Sequence, residues 1–544
     1  MDVVRSNFEV ILPQIEAALE KSEFIAIDTE FTGLAANDNQ QPSLFDAPCE
    51  RYTKLKRMVN QFLVCQFGVS AFVKSQEYSN TYEAHTYNFH LYPSSFGQQH
   101  DIRFTCQASS LEFLCNHRFD FNKFVYEGIS YLNGNQRAEL QELCLKNHVK
   151  IASSLNKVIE QDFLCPNCDK IEEWLKENKT NTLILDCHGV FFQFLLYQDI
   201  RKKFANLDCE VQPHGKLLVK RESLEKEQQA DYDEQIMRIV QSFCGFTRVF
   251  ELFVKLKKPL VGHNLFTDIL FMYEKFNSFL PDDYKIFKRN IHELFPFIID
   301  TKHLAFALNR HEILCESELF KKTNLEELYS ELSSHKGLYY VLYTPTIVHS
   351  KLCQKYVNSH NIHEAGYDAY ISGYVFLRMA HILTAKTSGS TFDGAAEFRQ
   401  YFDAVKSYGN IVNISRATVP FLNLAGEDPK SIRPRWLHIS RRRSLKRLTA
   451  GQILKELDRF GSLDVKVLDD QRALVATGHS KVSQRILKAL RRHKQLKARN
   501  YYPLLDSPNI RTFLWAGGVA TAAVTFFGVV AAVCYGKEKL NETS

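Results

Sequence analysis

Residues 24–34 read Phe-Ile-Ala-Ile-Asp-Thr-Glu-Phe-Thr-Gly-Leu, and this stretch decides the fold of the first half of the chain. Its first four residues are apolar, which predicts a buried β-strand. The strand runs into Asp28 and Glu30, whose i, i+2 spacing places both carboxylates on one face. Adjacent anions repel each other, and burying them is costly unless a cation lies between them. Hard cations such as Mg²⁺ bind carboxylate and phosphate oxygens, so the pair predicts a metal site; an ordinary polar strand end is the alternative.

The composition is that of a reduced, globular protein. The chain has 544 residues, of which 45% are hydrophobic and 24% charged, a length that suits about two to four domains. Its 13 Cys follow no regular framework, which favours reduced cytosolic thiols over a secreted disulfide protein. Residues 1–23 lack the continuous apolar core of a signal peptide, so we expect none.

The net charge of +6 conceals an asymmetry along the chain. Residues 430–499 contain 20 Lys and Arg against 5 Asp and Glu, a local charge of +15. Subtracting this from +6 leaves −9 for all other residues. A basic C-terminal region on a mildly acidic body indicates a polyanionic partner. A solvated basic face or a membrane-proximal polybasic segment is the alternative.

Further acids follow apolar stretches later in the chain. The pentad LVGHN at 260–264 predicts a strand and a turn, and the helix after it carries Asp268 in its first turn. The stretch FPFIIDTK at 295–302 is another apolar approach to a polar turn. A helix from His363 onward carries Asp368 five residues later. An acid in a first helical turn is also expected from the helix dipole alone.

These acids and the histidine follow the order of the DEDD exonuclease superfamily, in its histidine-containing subtype. The stretches IDTEFTGL, LVGHN, FPFIIDTK and HEAGYDAY resemble the motifs of the poly(A)-specific ribonuclease family over roughly the first 385 residues. The resemblance implies an α/β fold with an RNase H-like core, a homodimer, and two Mg²⁺ ions per active site, with Mn²⁺ as a substitute. It also implies that nucleoside 5′-monophosphates are released from single-stranded RNA with a free 3′-hydroxyl.

The resemblance also assigns a role to each site residue. The implied metal ligands are Asp28, which bridges both ions, and Glu30, Asp268 and Asp368. His363 is the implied general base that takes the proton of the attacking water, since an imidazole titrates near neutral pH. The alternative for His363 is a surface histidine at a helix N-terminus. Phe31, next to the acids, is a predicted RNA contact.

Residues 148–232 are more polar than their surroundings and predict a small domain inserted into the nuclease core, between its parts 1–147 and 233–390. In the family this place belongs to a single-strand-binding domain named for an Arg-x₃-His motif, which the insertion lacks. Cys165 and Cys168 form a C-x₂-C pair. Without a second such pair, ordinary thiols are favoured over a structural zinc site.

Residues 410–500 predict a separate basic domain. Its strand-helix-strand-strand-helix order resembles an RNA-recognition motif, an α+β module. The predicted strands carry few of the usual aromatic residues, so we expect basic side chains to bind phosphates where base stacking is weak. The candidate phosphate contacts are Arg441, Arg442, Arg443, Lys446 and Arg447.

Residues 513–535 form a stretch of 23 residues without a charge, which is long enough to span a bilayer as a C-terminal transmembrane helix. Trp515 and Tyr535 near its ends are typical of membrane interfaces. The preceding basic residues predict a cytosolic catalytic body. The moderate hydrophobicity favours the mitochondrial outer membrane over the endoplasmic reticulum. A buried core helix is the alternative.

The anchor and the nuclease motifs together resemble the membrane-anchored branch of the family, which trims precursors of PIWI-interacting RNA in the germ line. This resemblance implies that a PIWI-type protein complex or a Tudor-type adaptor presents the RNA. Two alternatives remain: an mRNA poly(A) deadenylase, and a catalytically silent membrane-anchored RNA-binding scaffold. The complete set of carboxylates argues against the scaffold.

Overall fold

A computed structural model describes most of the chain, in two compact units. The described residues are 1–35, 41–96, 101–146, 157–177, 179–187, 189–204, 206–221, 228–314, 317–357, 361–389, 392–442 and 447–502. The first unit comprises Met1–Gln41, Ala47–Ser415 and Val419–Lys430. The second comprises Pro42–Asp46, Arg416–Thr418 and the chain from Ser431 onward.

The strands of the described residues form three sheets, of nine, four and three strands. In chain order they are β1 (Asp2–Val3), β2 (Phe24–Phe31), β3 (Val64–Lys74), β4 (Thr81–His90), β5 (Thr182–Asp186), β6 (Asp208–Gln212), β7 (Lys216–Lys220), β8 (Leu260–Gly262), β9 (Ile298–Asp300), β10 (Thr346–His349), β11 (Ile411–Asn413), β12 (Phe421–Asn423), β13 (Leu437–Arg441), β14 (Leu463–Asp469), β15 (Arg472–Thr477) and β16 (Leu496–Asn500).

Helices connect and cover these strands, as expected of the predicted mixed α/β fold. They are α1 (Phe8–Lys21), α2 (Pro48–Gln61), α3 (Ala108–Asn116), α4 (Phe121–Glu127), α5 (Gly134–Leu145), α6 (Cys165–Glu177), α7 (Val190–Lys203), α8 (Gln228–Cys244), α9 (Thr247–Leu256), α10 (Phe266–Met272), α11 (Tyr284–Leu294), α12 (Thr301–Leu308), α13 (Leu325–Ser333), α14 (His335–Leu338), α15 (Ala365–Ser388), α16 (Phe398–Val405), α17 (Ala450–Leu457) and α18 (Ser480–Leu490).

The large sheet of the first unit has the strand order β1-β4-β3-β2-β8-β9-β11-β12, with β10 paired to β4. Strands β2, β3 and β4 are antiparallel neighbours, whereas β8 pairs parallel to β2 and β9 parallel to β8. The carboxyl ends of β2, β8 and β9 therefore meet at one edge of the sheet. In α/β folds this edge is where ligands bind.

Helix α15 fixes the position of that edge because it is buried against the sheet over almost its whole length. The Phe24 ring of β2 stacks on Phe72 of β3 at 4.6 Å between centroids and meets Phe376 of α15 edge-on at 4.9 Å. Aromatic pairs in this arrangement add to the stability gained from burial alone. The packing locks α15 across β2 and β3, with its first turn near the end of β2.

The region predicted as an insertion contains the three-stranded sheet β5-β7-β6. Its Trp174 and Tyr197 belong to a buried cluster that also includes Phe96, Leu140 and Phe243 from outside the predicted bounds. The thiol of Cys168 donates to Asp199 Oδ2 at 3.2 Å. Within the described part of the chain, neither Cys165 nor Cys168 belongs to a group of side chains with metal-ligand spacing.

The second unit contains the order β13-α17-β14-β15-α18-β16 in one antiparallel sheet, β14-β15-β13-β16. The sequence predicted these elements except β16, whose LKARN sequence has only two apolar residues among its charges. Both helices pack on one face of the sheet, where Ile439, Val475 and Ile486 are completely buried.

No helix among the described residues is long and apolar enough to cross a bilayer. The predicted span at residues 513–535 lies outside the described residues.

Candidate active site

The first two acids of the site lie on β2, as the sequence predicts. Asp28 and Glu30 are half-buried and share a face of the strand. Across the antiparallel pair, Asp28 lies opposite Gly68 and Glu30 opposite Gln66 of β3. The two carboxylates therefore sit near the parallel edge where β2, β8 and β9 end.

Asp268 reaches the same place from α10, where it lies in the first turn and is 8% exposed. The hydroxyl of Thr29 on β2 donates a hydrogen bond to its carboxylate, which ties the start of α10 to β2. Helix α10 is shorter than the sequence predicts. It gives way after Met272 to a π-helical turn, Tyr273–Asn277.

Asp300, at the end of β9, holds the turn that carries Asp268. Its carboxylate accepts hydrogen bonds from the backbone N–H groups of Asn264 and Leu265, at 3.0 and 3.1 Å. It also accepts from the N–H groups of Lys302 at the start of α12 and of Asn413 on β11, at 2.9 and 2.8 Å. Burial raises the pKa of Asp300, while these backbone bonds act in the opposite direction.

No catalytic role was predicted for Asp300, although it lies within the FPFIIDTK motif. The sequence pattern that could have identified Asp300 is an acid placed between the end of an apolar strand and the start of a helix. A carboxylate 1% exposed with several backbone donors organises its surroundings and has little access to substrate. We therefore consider Asp300 a positioning residue.

The first turn of α15 is held by two polar side chains of buried strands. The N–H of Ala365 donates to Gln66 Oε1 at 2.9 Å, and the N–H of Gly366 donates to Asn88 Oδ1 at 3.0 Å. The approach is so close that a Cβ on Gly68 would lie 1.8 Å from the carbonyl oxygen of Ala365. Asp368, one turn further on and 8% exposed, is thereby brought to the acids of β2.

His363 lies in the turn before α15, whereas the sequence predicted it in the helix. Its φ of +66° is left-handed, a conformation that costs about 1–2 kcal/mol for a non-glycine residue and cannot continue a right-handed helix. The conformation directs the His363 N–H to Asp368 Oδ2 at 3.2 Å and leaves the ring Nδ1 3.9 Å from the same oxygen.

Aromatic neighbours surround the His363 ring. The ring of Phe113 on α3 lies 4.8 Å from it between centroids, and that of His117 lies 4.2 Å away. Burial, and secondly His117, lower the pKa of His363 below its ordinary value. The ring is therefore largely neutral at pH 7 and can accept a proton.

The structure brings all four predicted metal ligands into one electrostatic cluster. Burial, followed by the neighbouring acids, raises the pKa of Asp28 and of Glu30 well above their usual range. Burial also raises the pKa of Asp268 and that of Asp368 to about 7. Carboxylates that repel each other in this way are stabilised when a cation neutralises them.

A divalent metal fits this cluster. One ligand atom each from Glu30, His363 and Asp368 lie within 4.8 Å of one another. The negative charges of Asp28 and Asp268 interact with this group. Oxygen donors of this density suit Mg²⁺ or Mn²⁺. Near a phosphodiester, such ions would stabilise charge that develops on the attacking and leaving oxygens.

The predicted RNA contacts are distributed over both units. The ring of Phe31 is half-buried and stacks on Phe271 at 4.2 Å. The guanidinium of Arg442 donates to the carbonyl oxygens of Leu496 and Arg491, and that of Arg447 pairs with Asp470 at 2.9 Å. Arg441 is half-buried on β13, and Arg443 and Lys446 lie outside the described residues. RNA contacts by these side chains stay predictions.

Comparisons with known proteins agree with the geometry. Residues 3–376 match the family described as CAF1 family ribonuclease. Poly(A)-specific ribonuclease PNLDC1 of Mus musculus is 34% identical over 538 residues, which cover 96% of this chain and 97% of that protein. The pre-piRNA 3′-exonuclease trimmer of Bombyx mori is 30% identical and covers 97% of this chain and 98% of its own length. Poly(A)-specific ribonuclease PARN of Xenopus laevis is 28% identical, with 94% and 82% covered.

Proposed function

The chain belongs to the CAF1 family of ribonucleases, and from that premise we propose that it trims the 3′ ends of PIWI-interacting RNA precursors. It is a 3′→5′ exoribonuclease. The observation that carries the proposal is the convergence of the four carboxylates and His363 at one edge of the sheet. Acids that repel each other are costly to cluster, and a silent scaffold would not offset that cost by binding a metal.

The choice of substrate rests on the relatives. The silkworm trimmer covers 97% of this chain and 98% of its own length, and its name gives pre-piRNA as its substrate. PARN, named for poly(A), aligns over 82% of its own length. PNLDC1 is also named a poly(A)-specific ribonuclease, so a deadenylase is the related second candidate.

The catalytic roles follow from the contacts of each residue. We assign Asp28, Glu30, Asp268 and Asp368 to two divalent ions, Mg²⁺ or Mn²⁺, which supply positive charge around the scissile phosphate when bound. The neutral ring of His363 accepts the proton of the attacking water. As the water oxygen bonds to phosphorus, the bond to the 3′ oxygen breaks and that oxygen takes a proton from solvent. The products are a nucleoside 5′-monophosphate and an RNA shorter by one nucleotide.

A comparison of two substrates tests the choice between a trimmer and a deadenylase. The purified chain is offered an RNA of mixed sequence and a poly(A) RNA of equal length, each labelled at its 5′ end, with Mg²⁺. Similar shortening of both by single nucleotides is the expected result for a trimmer. Strong preference for poly(A) would favour the deadenylase, and no shortening of either by the chain would favour the scaffold.

Membrane anchoring and presentation of the RNA are further parts of the proposal. Residues 513–535 carry no charge, and as a helix they are about 34 Å long at 1.5 Å per residue. We assign them to a tail anchor in the mitochondrial outer membrane, or in the endoplasmic reticulum, with the catalytic body in the cytosol. A PIWI-type complex or a Tudor-type adaptor held at the same surface in germ cells would raise the local RNA concentration, and a homodimer is the proposed assembly.

Truncation tests the anchor separately from the chemistry. A chain that ends near residue 510 keeps the carboxylates and His363, so it is expected to trim naked RNA in vitro but to trim poorly in cells. Replacing residues 513–535 by an unrelated anchor for the same organelle should restore trimming in cells. Normal maturation by the untethered chain would show that the anchor is dispensable.

A further inference from the structure

The outer face of the second unit's sheet is already occupied. In RNA-recognition motifs, bases stack on the sheet face that lies opposite the helices. Here that face carries His438, Leu474 and Ala476, which alternate with core residues along β13 and β15 and are only 8%, 5% and 2% exposed. Residues this well buried cannot serve as a platform for RNA bases.

The chain's own segment Pro42–Asp46, which belongs to the same unit, contacts this face. Asp464 lies opposite Ala476 and shares its outward face. The backbone N–H of Leu44 donates to Asp464 Oδ2 at 2.6 Å, and the Phe45 ring meets Trp436 at 5.1 Å between centroids. The segment that follows the catalytic strand in sequence thus covers the face on which RNA would be expected.

Basic residues without acidic neighbours run from α18 to the end of β16. Lys481, Arg485 and Lys488 recur at i, i+4 and i+7 on this helix, and Arg492 follows after four more residues. All four side chains are exposed, and the three on the helix lie on a face away from the buried Ile486. Residues 480–499 contain 8 Lys and Arg and no Asp or Glu. We call the four residues the α18 stripe.

As far as the structure describes the unit, the stripe residues have no internal partner, whereas several other cations of the unit are paired with acids. Arg416 pairs with Asp464, Arg447 with Asp470 and Arg472 with Asp469. Within the described residues, no ion pair or side-chain hydrogen bond involves the four stripe residues. The three stripe residues on the helix, Lys481 to Lys488, span about 10 Å at 1.5 Å per residue, which suits a ligand with several charges in a row.

We propose that the α18 stripe binds the phosphate backbone of the RNA body, while the sheet face that would be expected to bind it stays closed by Pro42–Asp46. RNA is the polyanion that the enzyme must hold, and the inference rests on the proposed function in that respect. Backbone contacts of this kind do not depend on base sequence. They would hold a precursor of any sequence while its 3′ end is shortened.

The test compares RNA affinity across salt concentrations, with the full chain in a zwitterionic detergent and Asp28→Asn present to prevent cleavage. The stripe variant is Lys481→Gln, Arg485→Gln, Lys488→Gln and Arg492→Gln. The matched control, which removes the same charge elsewhere in the unit, is Lys455→Gln, Arg459→Gln, Lys466→Gln and Lys497→Gln. A long unstructured RNA is the probe, and the slope of log K against log salt is the readout.

The stripe variant should lower the magnitude of that slope by about 3, since each phosphate contact on a single strand contributes about 0.7. The control variant should leave it nearly unchanged. Exchanging Lys and Arg at the four stripe positions keeps the charge and should retain the parental slope. Equal effects of the stripe and control variants would overturn the proposal.

Two further arms separate this inference from the proposed function. With Asp28 intact, the stripe variant should still release nucleotides at the parental maximal rate from an RNA too short to reach beyond the catalytic site. If the parent chain releases no nucleotides from that RNA, the proposed exonuclease activity is refuted, whereas the result on RNA binding is unaffected. The stripe substitutions are also introduced into the chain that ends near residue 510. If they abolish binding to phosphatidylserine vesicles but leave RNA affinity unchanged, the stripe binds a membrane surface and the RNA proposal is refuted.

Discussion

The catalytic edge of the first unit and the sheet of the second unit use charge in opposite ways. At the edge that carries the candidate site, two half-buried and two buried acids lie together; burial raises the pKa of all four, and the neighbouring acids further raise that of Asp28 and of Glu30. In the second unit, the stripe cations are exposed and spread along α18 and the turn after it. Concentrated, buried charge is suited to binding a metal and performing chemistry, whereas dispersed, solvated charge is suited to holding a polymer of any sequence.

The two regions also differ in what closes them. The candidate catalytic acids lie at the parallel edge of a sheet, the edge at which ligands bind in α/β folds. The corresponding expected site in the second unit, the outer sheet face, is covered by Pro42–Asp46. Topology therefore predicts the location of the first site but would mislead about the second.

The largest effect should come from removing a catalytic acid. Asp28→Asn or Asp368→Ala removes a metal ligand, so nucleotide release from RNA should fall to background. The fold should survive, because either change also relieves repulsion among buried carboxylates. Mononucleotide release and thermal melting measure the two consequences. Substantial activity in a purified, folded variant would contradict the site assignment.

A smaller loss is expected from His363→Ala. Removal of a general base lowers turnover by roughly 10²- to 10⁴-fold, and RNA affinity should change little because the contacts of His363 are with Asp368, Phe113 and His117. Single-turnover rates and equilibrium binding separate the two quantities. Normal turnover with weakened binding would make His363 a substrate contact.

The positioning role of Asp300 predicts a more moderate loss. Asp300→Asn replaces one acceptor oxygen by a donor, so backbone N–H groups around the Asp268 turn lose their partner. Activity should fall about 10- to 100-fold, as for supporting residues of metal sites. The melting temperature should also fall. Asp283→Asn, at the exposed N-cap of α11, is the matched control and should affect activity little.

The smallest effect concerns stability without metal as a function of pH. The pKa of Asp268 and that of Asp368 are about 7 in the folded chain, against an ordinary value of 3.8. The folded state thus retains protons that the unfolded state loses. The contribution of these groups to stability is highest below pH 3.8 and falls as pH rises towards 7.

Melting temperatures measured with and without Mg²⁺ check this linkage. Mg²⁺ binds the ionised acids, so it should raise the melting temperature by a few degrees more at pH 8 than at pH 5. Asp368→Asn removes one titrating group and should weaken the pH dependence. A Mg²⁺ effect that is equal at both pH values would contradict the raised pKa of these carboxylates.

The sequence was sufficient to predict the elements that carry the four candidate acids, because each acid has a local signal; their catalytic roles stay predictions. Asp28 and Glu30 end an apolar strand, and Asp268 and Asp368 lie in first helical turns. His363 was predicted in a helix, and its left-handed turn became apparent only from the backbone.

The supporting residues could not be predicted because their partners are distant in sequence. Gln66 and Asn88 accept bonds from a helix that begins almost three hundred residues later, and nothing in their own strands indicates it. The cover over the second sheet likewise depends on a segment some four hundred residues earlier. Periodicity identifies elements, but long-range hydrogen bonds of this kind have no signature in the local sequence.

The central claim is that the clustered acids release nucleotides from a 3′ end, and the first product of the reaction tests it most directly. An RNA labelled at its 3′-terminal nucleotide is incubated with the full chain, with and without Mg²⁺. We expect a labelled nucleoside 5′-monophosphate as the first product, a requirement for Mg²⁺, and no product from Asp28→Asn. Labelled oligonucleotides as first products, or release by Asp28→Asn at the parental rate, would contradict it.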